Sequence, residues 1–290
     1  MLIAIEGIDR TGKSTLADRL HTFIGGEVLH FSKPEDHPIV EYGGPFAGFT
    51  PPRDTLILDR SHIGESVWPT VFDRPTDMDE AMRRWLNMLL MSRGTVCIHA
   101  YRTVDQNTAA EFEAAGEPIY HLGDIMLADH LFRDAVLDCG LPVYPYEHGD
   151  WPGAALHDAS RRAVVAGELM DITPRYVGSH APRVLIVGNG TERAMPFMPY
   201  EDTDSNYMMA ELDDWRQIGL VNCHRPEFPH EPERLRELWF ALGKPTIVSF
   251  GGTASATLNS MVLNHNDYGP LHKFKQLPKG SLREIIRRHL

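Results

Sequence analysis

At 290 residues, 42% hydrophobic and 23% charged, the chain has ordinary globular composition and enough length for roughly two domains with a sizeable core. Disordered and fibrous classes are excluded on those grounds. The net charge of -12 is uneven: residues 1–182 hold 15 Lys and Arg against 27 Asp and Glu, whereas residues 183–290 hold 13 against 13. An acidic first half does not track a phosphate backbone by bulk charge. No apolar run approaches the ~20 residues that span a bilayer. Met1 leads straight into a strand-like LIAIE, so no secretory leader is expected. Cys97, Cys139 and Cys223 are far apart and lack CxxC spacing, which argues against a disulfide scaffold or zinc site and for a reducing, cytoplasmic setting.

In chain order, residues 2–6 read as a buried strand and 13–24 as the helix that follows. Residues 27–31 form a second strand. The Pro- and Gly-rich stretch 32–53 reads as a loop, and 55–59 as a third strand ending in a carboxylate. Apolar spacing at Met78, Met82, Trp85 and Leu89 predicts a helix over 77–92. Strands at 95–101 and 141–146 bracket a helix at 121–139, and a polar helix of about 15 residues starts near Trp151. A Pro-, Gly- and Ser-containing stretch at 171–182 reads as a linker. Alternation then resumes, with strands at 183–188, 218–223 and 245–250 and helices near 205–215, 231–241 and 252–262. The reading is α/β throughout, with a first domain over 1–172, a linker over 173–182 and a second α/β domain over 183–290.

The first strand runs into Gly7-Ile8-Asp9-Arg10-Thr11-Gly12-Lys13-Ser14-Thr15, a complete G-x-x-x-x-G-K-[ST] loop between a strand and a helix. Glycines let successive N–H groups point at phosphate oxygens, and the helix N-terminus adds its positive dipole. Gly7, Gly12, Lys13, Ser14 and Thr15 are therefore expected to bind ATP, with Lys13 on the β/γ-phosphates and the Ser14 hydroxyl on Mg²⁺.

IAIEGIDRTGKSTLADRL resembles the opening of thymidylate kinases. LILDRSHIGESVW, residues 56–68, resembles the Asp-Arg segment of thymidylate and deoxynucleoside kinases. The likeness covers about residues 1–150. It implies that Asp9 and Arg10 face the acceptor, that Arg60 grips acceptor phosphate or the transferring group, and that Asp59 lies near Mg²⁺ or the attacking oxygen. Lys13, Asp59, Arg60 and Arg10 are the expected catalytic set. Phe46, Phe49, Trp68, Phe72 and Trp85 surround the expected acceptor pocket, with Trp68 and Phe72 as the substrate contacts. Thymidylate kinases carry lid arginines after the fourth strand, but here Thr103 to Phe132 contains no Lys or Arg, and only Arg102 and Arg133 flank it. A hydroxyl acceptor, with Asp59 as base, suits that sparse lid better than a phosphate acceptor.

Residues 183–262 resemble the uracil-DNA glycosylase superfamily through VLIVGNGTE, GLVNCHRPE and KPTIVSFGGTASATL. Asn189 stands where that family places its water-activating carboxylate. Its late His-Pro motif is absent here, since neither His265 nor His272 is followed by Pro. The likeness therefore implies a domain that binds DNA or a base rather than cleaving it, through Asn189 and Arg225 with Lys273, Lys275 and Lys279 in support. Two acceptor classes remain open: a deoxynucleotide-type small molecule, or 5-hydroxymethyluracil within phage DNA held by the second domain.

Overall fold

The computed structural model describes residues 1–35, 37–46, 48–189, 195–196, 198–199, 208–223 and 230–258, the backbone of 259–260 and 271–274, and singly Glu284 and Arg288. The chain divides into two compact units, Met1–Asp79 with Arg93–Val164, and Glu80–Ser92 with Val165–Leu290. Among the described residues no helix is long and apolar enough to cross a membrane.

The first unit is built on a five-stranded parallel sheet, β1 (Leu2–Glu6), β2 (Glu27–His30), β3 (Leu56–Asp59), β4 (Val96–Tyr101) and β5 (Val143–Glu147), in the order β2-β3-β1-β4-β5. The central strands are continuous apolar runs because both faces are covered. Ile3, Ile5, Ile57, Val96 and Ile98 pack against Leu16, Ala17 and Leu20 of α1 (Lys13–Ile24) and against Ala155, Leu156 and Ala159 of the long helix Gly153–Ile172. A second core gathers Ile8, Trp68, Phe112, Ile125, Ala128 and Phe132. Apart from Ile8, which lies in the loop after β1, these residues come from α3 (Trp68–Val71), α5 (Gln106–Ala114) and α6 (Leu122–Asp138).

Residues 32–53, expected to be loop, include α2 (Pro38–Gly43) and a 3-10 turn at Gly44–Phe46. Pro38 sits in the first helical turn, where its missing N–H costs nothing, and the His37 ring accepts from Ile39 N–H at 3.3 Å. α5 also lies in a stretch with no predicted element. It starts at a reciprocal cap in which Asp105 accepts from Thr108 N–H at 2.9 Å and Thr108 Oγ1 accepts from Asp105 N–H at 3.3 Å.

In the second unit β6 (Val177–Gly178), β7 (Val184–Asn189), β8 (Ile218–Cys223), β9 (Thr246–Phe250) and β10 (Leu271–Phe274) take the order β10-β9-β7-β8-β6. All neighbours are parallel except β6 with β8. Its core joins Leu185, Val187 and Val221 to Leu238 and Trp239 of α8 (Glu231–Ala241) and to Ala254 and Leu258 of α9 (Gly252–Ser260). α4 (Glu80–Ser92) belongs to this unit although it precedes β4 in sequence. Trp85 Nε1 donates to Pro196 O at 3.0 Å, Arg84 donates to Ala210 O at 2.8 Å, and His180 Nε2 meets Ser92 O at 3.1 Å. α7 (Gly153–Ile172) runs through the division at Val164.

Phe112 is fully buried in the second core, which it shares with Trp68 and Phe132. Replacing it with Ala removes a fully buried ring, so Phe112→Ala is expected to destabilise the first unit by about 3–5 kcal/mol. A lowered urea midpoint with an unchanged slope is the check.

Candidate active site

The phosphate loop turns on two glycines. Gly7 has φ 142°, and a Cβ there would lie 2.0 Å from Ala100 O, so no other residue fits. Gly12, at φ 83°, passes the chain into α1, and a Cβ there would meet the His148 ring at 2.3 Å. Thr11 Oγ1 donates to Ile8 O at 2.9 Å and fixes the curl between them. Ser14 and Thr15 follow in the first turn of α1, the end of a helix that favours anions.

Parallel pairing sets Ile5 of β1 opposite Asp59 of β3, and Arg60 N–H donates to Ile5 O at 3.1 Å. That register delivers the Asp59-Arg60 pair to the loop. Ser14 Oγ donates to Asp59 Oδ2 at 2.7 Å, while Asp59 Oδ1 is buried with no hydrogen-bond partner. A hydroxyl beside a carboxylate with one unsatisfied buried oxygen is the donor set a Mg²⁺ ion takes from protein. Those two residues fit the ion.

Arg60 has φ 73°, a left-handed conformation that costs a non-glycine residue on the order of 1–3 kcal/mol. Its guanidinium donates to Asp9 Oδ1 at 2.7 Å, and its Nε is buried without a partner. Lys13 Nζ donates to Ile8 O at 2.5 Å and lies 3.6 Å from Asp9 Oδ1. Burial lowers the Lys13 pKa, opposed chiefly by Asp9. Asp9 thus spaces two cations at one edge of the loop. Arg10 instead turns outward to Glu117, at 3.0 Å, and is 42% exposed.

Beside this edge opens a cleft of about 200 Å³. Asp9, Arg60, Trp68, Phe72, Glu65 and Arg74 line it, with Tyr42 at its side. Trp68 and Phe72 stack at 5.5 Å and 22°. Arg74 donates to the buried Glu65 at 2.8 Å. The other aromatics expected here are elsewhere: Phe46 and Phe49 are buried, Phe49 beside a different cavity, and Trp85 bonds Pro196 in the second unit. The arginines flanking the cation-free stretch are both paired, Arg102 with Glu111 and Arg133 with Asp129, each at 2.8 Å.

Three further residues, Glu6, His30 and His148, border the site. Glu6, at the end of β1, is fully buried; Ser61 Oγ donates to its Oε1 at 2.5 Å, and its Oε2 has no partner. Burial pushes this carboxyl up to about 7, against the downward pull of Ser61 and Lys13. His30 meets Asp59 at 3.0 Å, and His148 packs on Gly12. A carboxylate closing an otherwise apolar strand was the one visible signal, at Glu6.

In the second unit, Asn189 at the end of β7 accepts from Ala254 N–H at 2.8 Å, tying its strand to the first turn of α9. Gly251, at φ 95°, allows this, since a Cβ there would overlap the Asn189 amide. Gly190, His224, Arg225, His265, Lys275 and Lys279 lie outside the described residues.

No family model matches the sequence, and no curated protein does. Among solved structures, the chain is similar to the YorR protein of Bacillus subtilis in complex with phosphorylated GDP, with 19% identity over 59% of this chain and 98% of that one, TM-score 0.44. It is also similar to the M. mycoides deoxyadenosine kinase with products dCMP and a flexible dCDP bound (16% identity, 60% and 100% covered, TM-score 0.36). The same enzyme with dCTP bound gives 17%, 59% and 100%, and 0.32.

Because the folded Glu6 pKa lies above its ordinary 4.5, the native state holds the proton more tightly than the unfolded chain. Its contribution is fully present below about 4.5 and is lost as pH rises through about 7. Glu6→Gln, which keeps the Ser61 contact without the charge, should gain stability over wild type across that window. The gain should level off near roughly 3 kcal/mol above it. Thermal unfolding of both proteins from pH 4 to 8 tests this; parallel profiles would contradict it.

Proposed function

We propose that the chain is a phosphotransferase that moves the γ-phosphoryl group of ATP to a deoxynucleotide-type acceptor held in the cleft beside the phosphate loop. The observation that carries this reading is the convergence of Ser14, Asp59 and Lys13 at the loop, next to a cleft lined by Asp9 and Arg60.

Backbone N–H groups of Gly7 to Ser14 and the α1 N-terminus hold the donor phosphates. Lys13 leaves Ile8 O for the β/γ-phosphates and neutralises charge that builds on the transferring group. Ser14 and Asp59 would hold Mg²⁺, which when bound would neutralise charge on the donor phosphates. Arg60, spaced from Lys13 by Asp9, faces the acceptor side and stabilises the group in transit. The stacked Trp68–Phe72 pair offers a face for a base, worth ~1–3 kcal/mol of stacking. Arg10 serves only after leaving Glu117.

A second reading is favoured by one observation: Arg102 and Arg133 are already committed to Glu111 and Asp129, and no cation lies between them in sequence. That arrangement suits an uncharged hydroxyl better than a phosphate acceptor. Phosphorylation of 5-hydroxymethyluracil within DNA meets this condition, with the second domain binding the DNA or base through Asn189 and Arg225. As Asn189 Oδ1 is engaged by Ala254, its part in such binding falls to the amide nitrogen.

Lys13→Ala is expected to lower phosphoryl transfer by at least roughly 100-fold with the melting temperature of the unliganded protein little changed. Asp59→Asn should lower turnover more than ATP affinity, and Arg60→Ala should weaken acceptor use. Radiolabelled ATP offered with dTMP, with deoxynucleosides and with a hydroxymethyluracil-containing duplex identifies the acceptor. Label in none of them, with ATP and Mg²⁺ raising no melting temperature at millimolar concentration, would overturn the kinase reading.

A further inference from the structure

We infer that His30 is the residue that positions Asp59 for the cation, a role that rests on reading Ser14 and Asp59 as the Mg²⁺ site. The inference begins with register. β2 pairs with β3 in parallel and sets His30 opposite Asp59, so the two side chains leave the same face of the sheet at its carboxyl end. His30 Nδ1 lies 3.0 Å from Asp59 Oδ2, the same oxygen that accepts from Ser14 Oγ at 2.7 Å. Two donors from two elements, β2 and α1, thus converge on one carboxylate oxygen, while the other oxygen, Oδ1, is buried and has no partner.

The two donors are not equivalent. The Ser14 hydroxyl is itself a cation ligand in this reading, so it turns away from Asp59 when it takes up that role. His30 is then the donor left on Oδ2. Without it, Asp59 loses the contact that fixes its rotamer and must be ordered at the moment of cation binding. Carboxylates that ligate metals are commonly held in this way by an outer hydrogen bond, and losing such a partner typically costs ~10–100-fold in metal affinity. His30 needs only its Nδ1–H for this; the donated bond fixes the tautomer, as in other carboxylate–imidazole pairs. The side chain is 54% exposed on an edge strand, so its replacement leaves the packed core intact.

The test measures cation binding separately from turnover. Mn²⁺ binding to the full chain with ATP present is followed by electron paramagnetic resonance for wild type, His30→Ala, His30→Asn and Asp59→Asn. ATP binding without metal is measured alongside, and melting temperatures check folding. His30→Ala is expected to weaken Mn²⁺ binding about tenfold. Metal-free ATP binding should stay unchanged, and the Mg²⁺ needed for half-maximal turnover should rise in step. His30→Asn, whose amide can donate to the same oxygen, should restore most of the loss. In His30→Ala/Asp59→Asn the two losses should not add, because both act through one carboxylate. Wild-type Mn²⁺ affinity in His30→Ala, with a clear loss in Asp59→Asn, would overturn the role of His30 and leave the cation site standing. Equal losses in His30→Ala and His30→Asn would overturn the donor role. No loss in Asp59→Asn would overturn the cation site itself, and the proposal with it.

Discussion

The pairing of β1 with β3 is the constraint on which the first unit's chemistry depends. It sets Ile5 against Asp59, and the next residue along each strand leads into the loop and the Asp-Arg corner. Slipping that register by one residue would turn Asp59 to the opposite face of the sheet, away from Ser14. The apolar run of β1 guards against such a slip, because every residue from Leu2 to Ile5 is fully buried and each face already has its helices. Burial of ordinary aliphatic side chains thus sets the position of a carboxylate to within hydrogen-bonding distance.

What the register assembles is electrostatically expensive by itself. Lys13, Asp59 and Glu6 are all buried, and Arg60 is held in a left-handed conformation. Mutual compensation keeps the group tolerable: Asp9 lies between Lys13 and Arg60, Ser14 and His30 satisfy one oxygen of Asp59, and Ser61 satisfies one of Glu6. Asp59 Oδ1, Glu6 Oε2 and Arg60 Nε nonetheless remain buried without partners. Such orphans carry a desolvation cost of roughly 1–3 kcal/mol each, and sites meant to meet a ligand are where proteins tolerate it.

Local patterns carried much of this into the sequence. The phosphate loop is legible because its chemistry requires fixed residue types at fixed spacing, and the strand–helix alternation because apolar runs and amphipathic runs have different periods. Asp59-Arg60 was visible at the end of a strand, yet its contact with Ser14, 45 residues away, depends on the pairing of β1 with β3. His30 gave no local signal, since a lone histidine closing a short strand has no meaning until its neighbour across the sheet is known. α2 was hidden by Pro and Gly content, although Pro38 in its first turn is a starting signal. The Asp105–Thr108 cap of α5 is a starting signal of the same local kind. Trp85 shows the opposite limit: its spacing placed it on a helix correctly, but nothing local says which unit that helix packs with.

That helix has a consequence for how the chain is made. Residues 80–92 emerge from the ribosome before β4 and β5, yet they group with a unit most of which is translated later. The first unit must close around an excursion whose apolar side chains, Trp85, Leu86, Met88 and Leu89 among them, wait for β6 and its neighbours. The same arrangement means that a single cut between the units cannot separate them cleanly. A fragment starting near residue 176 would lack the helix that supplies Trp85 to its interior, and the amino-terminal remainder would carry that helix exposed.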